Sequence, residues 1–193
     1  MSRSIWDWFV VTIFKGEHIA LLGPRSSGKT TLHRYILDTG ETDAINPTLG
    51  PEKTTWNRQR ELGLNIRKGA DLPGGEANYA DWHEQFAKSS RIFYLFDAHA
   101  ARTVDAYEGV IRREGRNLRD WGTAGKHVMM LGTHSDEDPL AGRLGKAAYQ
   151  DHIADIEAVA AFQTRAGVRG LAVGSLRTRD DAVALVKQAL GTS

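Results

Sequence analysis

Cysteine is absent from the 193 residues, which excludes disulfides and thiolate metal sites and is compatible with a reducing compartment. Net charge is nearly absent as well: 25 basic residues against 24 acidic ones leave +1, so no global field recruits nucleic acid. No apolar run reaches the roughly 18 residues that span a bilayer. The N-terminal stretch IWDWFVVTIF is interrupted by Asp7, and no small-residue cleavage site follows it, so a signal peptide is not expected. Internal repeats, low-complexity tracts and domain linkers are missing too. What is left, 41% apolar and 25% charged residues, is the composition of a soluble globular protein. The length suffices for one domain with a real core and falls short of two.

Strand and helix patterns alternate along the chain. EHIALLG (17–23), RIFYLFD (91–97) and HVMMLGT (127–133) read as buried strands, and GVRGLAVGS (167–175) as a last strand. Between them, helical spacing links Leu32, Tyr35 and Ile36; then Tyr79, Trp82 and Phe86; then Val104, Tyr107, Ile111, Leu118 and Trp121; then Tyr149, Ile153, Ile156 and Ala160. Thr178 with Asp181 predicts a capping box opening a last helix that ends at Gly191. Residues 54–62 and 64–70 suggest two strands joined by a turn at Gly63. This order predicts an α/β protein: a mostly parallel sheet, six-stranded with one antiparallel edge strand, and helices on both faces. Ligands bind such sheets at the carboxyl ends of the strands.

Gly23-Pro24-Arg25-Ser26-Ser27-Gly28-Lys29-Thr30 matches the phosphate-loop pattern G-x-x-x-x-G-K-[ST], directly after a strand and before a helix. A loop free of bulk lets backbone N–H groups wrap phosphate oxygens, and the helix N-terminus adds its dipole. Lys29 would reach the β- and γ-phosphates and the Thr30 hydroxyl would ligate Mg²⁺, with Thr31 beside it. The alternative is a Gly-rich turn carrying an incidental lysine.

Further elements follow in order: Asn46-Pro47-Thr48-Leu49-Gly50 after the first helix, Asp71-Leu72-Pro73-Gly74 after the hairpin, Thr133-His134-Ser135-Asp136 after a strand, and Gly174-Ser175-Leu176 after the last one. With them the chain resembles the Ras superfamily of small GTPases, most closely the Arf/Arf-like branch. PTLG is similar to that branch's PTxG switch element, and residues 71–97 fit its pattern without a gap, including Trp82, Phe86 and Asp97. The resemblance implies a P-loop NTPase (Ras-like) fold over residues 15–193, preceded by an amphipathic segment, 1–14. It implies GTP and GDP as ligands and Mg²⁺ held by Thr30, Thr48 and Asp71. The Gly74 N–H would meet the γ-phosphate, Asp136 would read guanine, and the Ser175–Leu176 turn would approach the base carbonyl. Thr133 and His134 depart from the family's Asn and Lys; a histidine ring can still stack on a base. Effector proteins that recognise the GTP state are implied, with an activating or exchange protein.

Two departures concern catalysis. Gly75 stands where many such switches carry a water-orienting Gln, and it has no side chain to offer. Glu76 is one residue on and could act as a base. Arg25 is expected either over the phosphates, as an arginine finger in cis, or facing solvent or paired with an acidic residue. Slow or partner-dependent hydrolysis is the expectation; the competing readings are a pseudo-GTPase that binds without cycling and an ATP-using P-loop enzyme. Trp6, Trp8 and Phe9 would give the N-terminal segment weak membrane contact, unless it packs on the domain or pairs as an extra strand. Ser2 stands where a myristoylated Gly would be, so the lipid is not expected. A cytoplasmic protein, with peripheral membrane contact in the first case, is implied. Arg112, Arg113, Arg116 and Arg119 form a basic stripe, read as a solvated face or an acidic-partner site. Asp136-Glu137-Asp138 is read as base recognition plus loop solubility, without a second metal site.

Overall fold

The central strands send alternate side chains into two different cores, and helices cover both. The computed structural model describes residues 17–36, 52–53, 57–59, 64–68 and 70–191. Strand β1 (Glu17–Leu22) runs through a tight loop into helix α1 (Lys29–Ile36). Short strands follow: β2 (Glu52–Lys53), β3 (Asn57–Gln59), β4 (Leu64–Lys68) and β5 (Ala70–Asp71). A 3-10 turn, Glu76–Asn78, opens helix α2 (Tyr79–Lys88). Next come β6 (Arg91–Asp97), α3 (Ala98–Thr103), α4 (Asp105–Trp121) and β7 (His127–Thr133). The chain continues through α5 (Pro139–Leu144), α6 (Lys146–Ala154), α7 (Glu157–Ala166), β8 (Gly170–Val173) and α8 (Arg179–Leu190).

Strands β1, β6, β7 and β8 lie side by side in that order, all parallel. Beyond β1, β4 pairs parallel with it and β3 pairs antiparallel with β4; β2 pairs antiparallel with β5. The chain therefore leaves β1 to one side and returns to β6 on the other, which puts a switch in strand order beside the phosphate-loop motif.

One core collects Leu22, Ile92, Tyr94, Phe96 and Met130 from the sheet with Trp82, Phe86, Ile111, Ile153 and Phe162 from the helices. The other collects Ile19, Leu21, Phe93, Leu95 and Leu131 with Leu32, Leu185 and Val186. The period-2 alternation was hidden in the sequence because both faces are apolar. The capping box forms as predicted: Asp181 N–H donates to Thr178 Oγ1 over 3.1 Å and Thr178 N–H to Asp181 Oδ2 over 3.2 Å. Gly191 closes α8 in the left-handed conformation.

Two helix readings need correction. Val104 is no core residue: it caps α4 in an extended conformation and is 48% exposed. Tyr149, Ile153, Ile156 and Ala160 do not share one helix. Ile156 is extended, with ψ 124°, and this break reorients the chain so that α7 buries Ala158, Val159, Phe162 and Ala166 while Ala160 is exposed. Thr48, Trp6, Trp8 and Phe9 lie outside the described residues. Among the described residues no helix is long and apolar enough to cross a membrane.

Helices α4 and α7 meet at Gly115, where a Cβ would stand 2.9 Å from Phe162 Cδ2. The Phe162 ring in turn packs on Tyr94, with centroids 4.1 Å apart. Gly115→Ala would stabilise an isolated helix by ~1 kcal/mol. Here it is expected to lower the urea midpoint, because the new methyl group meets a ring packed on its other side.

Candidate phosphate and base site

The loop leaving β1 is shaped by three residues with positive φ: Gly23 at 144°, Ser26 at 60° and Gly28 at 86°. Ser26 is one of only two non-glycine residues of this kind among the described residues, the other being His134 at 59°. Such conformations carry strain and cluster at ligand clamps. Gly23 is obligatory, since a Cβ there would lie 2.0 Å from Leu95 O, and a Cβ on Gly28 would lie 2.6 Å from Leu176 Cδ1. Lys29 opens α1, is buried, and donates through Nζ to Gly23 O at 2.7 Å and Pro24 O at 2.6 Å. Its ammonium is thus held inside the loop. Ser27 is fully buried, and its Oγ has no hydrogen-bond partner among the described residues. Thr30 and Thr31 are half-buried, and Arg25 is exposed.

The segment after β5 lies against this loop. Asp71 ends β5, and buried Gly74 packs so closely that a Cβ would stand 2.5 Å from Arg25 N. Trp82 Nε1–H donates to Pro73 O at 3.0 Å, anchoring the segment to α2. Gly75 has φ 107° and ψ 166°, with open space around it. The Glu76 carboxylate pairs with Arg113 of α4 at 2.6 Å.

A cavity of about 250 Å³ adjoins the loop, lined by Gly28, Thr31, Thr133, His134, Asp136 and Leu176 among others. Thr133 organises this wall. Its buried Oγ1 lies 3.1 Å from Ser27 O and 3.1 Å from Phe96 O, and 2.7 Å from His134 Nδ1. One hydroxyl proton serves one of these acceptors at a time, and which of Oγ1 and Nδ1 donates follows the tautomer of His134. Ser135 N–H donates to Gly174 O at 3.2 Å, tying the two loops of the cavity together, and Arg177 N–H donates to Ser175 Oγ at 2.9 Å. Asp136 is exposed at the rim. The structure thus brings together Gly23 through Thr31, Gly74, Thr133, His134, Asp136 and Leu176, around the loop and the cavity beside it.

Asp138 is not the loop solubiliser the sequence suggests. It is buried and receives a fork from Arg102, Nε at 2.7 Å and Nη2 at 2.8 Å, with the Tyr149 hydroxyl at 2.9 Å and Leu140 N–H at 2.9 Å. Burial alone would raise its pKa, but these donors outweigh that and hold the carboxyl far below the usual range. Asp-Pro at the start of α5 was a readable helix-opening signal; a partner 36 positions away was not. The basic stripe is largely neutralised within the chain: Arg112 pairs with Glu108 and Glu157, and Arg119 with Asp120.

Glu114 lies three residues after Ile111 and four before Leu118, which puts a carboxyl on the apolar face of α4. It is 1% exposed and accepts from Tyr94 OH at 2.8 Å and Tyr79 OH at 3.3 Å. Burial pushes its pKa up to about 7, against the lowering effect of the Tyr94 hydroxyl and the Lys29 charge. A carboxyl raised on folding binds its proton more tightly in the native state. Stability therefore falls as pH rises from the unfolded value near 4.3 through about 7, and the loss is complete above it. Between pH 5 and 8 the native protein is expected to lose roughly 2–3 kcal/mol that Glu114→Gln does not lose. Urea titrations of both at the two pH values measure this. Asp138 acts in another window: its stabilisation is present above about pH 4 and is lost on further acidification.

Among the described residues no three His, Cys, Asp or Glu side chains gather as a metal cage. Compared with known proteins, the chain matches no family model and no curated protein.

Proposed function

We propose that this protein is a GTP-binding molecular switch of the Arf/Ras-like type, with slow or partner-dependent hydrolysis of GTP to GDP and phosphate. The observation that carries the reading is the meeting of the strained loop 23–30 with the cavity lined by Thr133, His134, Asp136 and Leu176. The loop suits polyphosphate and the cavity a flat base. In this reading the sheet is the six-stranded Ras-like one with an antiparallel edge.

The phosphates would draw the Lys29 ammonium from the Gly23 and Pro24 carbonyls, exchanging neutral acceptors for charged ones. Backbone N–H groups of the loop and the orphaned Ser27 hydroxyl would add donors. The donor set for Mg²⁺, two hydroxyls and a carboxylate, is all hard oxygen and fits that ion. Thr30, Thr48 and Asp71 would hold it, and when bound it neutralises charge on the β- and γ-phosphates. Asp136 would accept from guanine N1–H and N2–H₂, donors that adenine lacks, while His134 stacks on the ring and the Ser175–Leu176 turn meets the base carbonyl. Gly74, packed on the loop backbone, is the γ-phosphate sensor, and its release would signal to effectors. The protein would work in the cytoplasm, with weak membrane contact through Trp6, Trp8 and Phe9.

A pseudo-GTPase is the second reading, favoured by Gly75, which places nothing beside the phosphate site, and by Glu76, which is engaged elsewhere.

Titration with GTP, GDP and ATP analogues tests the first reading. Lys29→Ala is expected to weaken guanine nucleotide binding roughly 10- to 100-fold, the loss of a charged hydrogen bond to phosphate. Asp136→Asn is expected to shift preference toward xanthine nucleotides; equal affinity for ATP and GTP in the unaltered protein would remove base reading.

A further inference from the structure

Position 75 has no side chain to orient water, and its φ of 107° and ψ of 166° are glycine geometry with open space around it. The next carboxylate along the chain is Glu76, on a single 3-10 turn whose preceding residues are packed on the phosphate loop through Gly74. That carboxylate is turned to α4, where Oε1 meets Arg113 Nη1 at 2.6 Å. Arg113 is itself aimed by Tyr79 of α2, whose hydroxyl accepts from Nε at 3.4 Å and donates to Glu114 at 3.3 Å. A rigid helix thus holds one end of the pair, and the other sits on a turn hinged by glycine.

Building on the GTPase reading above, we propose that Arg113 is a positioning residue that withholds the Glu76 carboxylate from the phosphate site, so that turnover requires this ion pair to open. The pair is suited to opening. Its side chains are 40% and 63% exposed, and such pairs are weak and readily exchanged. When it opens, Glu76 takes a proton from the attacking water as the oxygen bonds to the γ-phosphorus. The bond from the γ-phosphorus to the β–γ bridging oxygen breaks, giving GDP and inorganic phosphate, and Glu76 then returns its proton to solvent. A partner that offers a carboxylate to Arg113 would accelerate hydrolysis without inserting an arginine of its own.

The test is single-turnover GTP hydrolysis with the full chain, alongside GTP and GDP affinities for every variant. Arg113→Ala is expected to raise the rate about two- to fivefold at unchanged affinity. Arg113→Lys is expected to restore the slow rate, and Arg113→Ala with Glu76→Gln to lose the gain. A merely structural Arg113 would change affinity or stability and would not make the gain depend on Glu76. Tight GTP binding with no gain in Arg113→Ala, or a gain that survives Glu76→Gln, would overturn the proposal while leaving the switch reading intact. Failure of the unaltered protein to bind GTP at all would remove that reading, and this proposal with it.

Discussion

A first side-chain carbon on Gly23 would stand 2.0 Å from the Leu95 carbonyl oxygen, so the loop can leave β1 along β6 only with a hydrogen atom at that position. That approach sets where the rest of the loop goes. It carries the chain into the left-handed turn at Ser26 and brings Ser27 O within reach of Thr133 at the end of β7. Gly28 then passes so close that a Cβ would meet the Leu176 side chain at 2.6 Å, and its φ of 86° favours glycine as well. Three strand ends and the loop after β8 thus meet at this loop, by backbone approach at Gly23 and through the Thr133 and Leu176 side chains.

A second frame is polar and stands behind the first. Thr133 and His134 join the end of β7 to β6 and the loop, while Asp138 ties the following helix to Arg102 and Tyr149. Tyr94, Tyr79 and Glu114 form a corresponding buried group between β6, α2 and α4. Buried polar groups of this kind are costly when half satisfied and specify one arrangement when complete. The two networks differ in proton affinity: Asp138, surrounded by donors, holds its charge far into acid, whereas Glu114, raised to about 7 by burial, gains and loses its proton near neutral pH.

Local motifs were legible because their physics is local. The phosphate-loop pattern, the Thr178–Asp181 capping box and the continuous apolar strands need only neighbours within a few residues, and the parallel α/β layering follows from them. Contacts that depend on remote partners could not be read. Asp138 resembles any loop acid until Arg102 is placed beside it, and Arg113 reads as one member of a solvated stripe until the chain after Gly75 folds back on α4. The continuous helix expected through Ile156 failed for a related reason. Periodicity records which residues are apolar and does not register a single extended residue that lets Phe162 reach Tyr94 past Gly115.

Gly75 finally bears on how this chain can change over generations. A glutamine there would find open space, so crowding is no obstacle. The obstacle is the backbone, because φ 107° with ψ 166° belongs to a region that only glycine occupies at ease. Any side chain at 75 would have to be accompanied by a new path for Gly74 and the turn at Glu76. The position is conformationally locked, so variation that reshapes this segment will collect at residues around it instead.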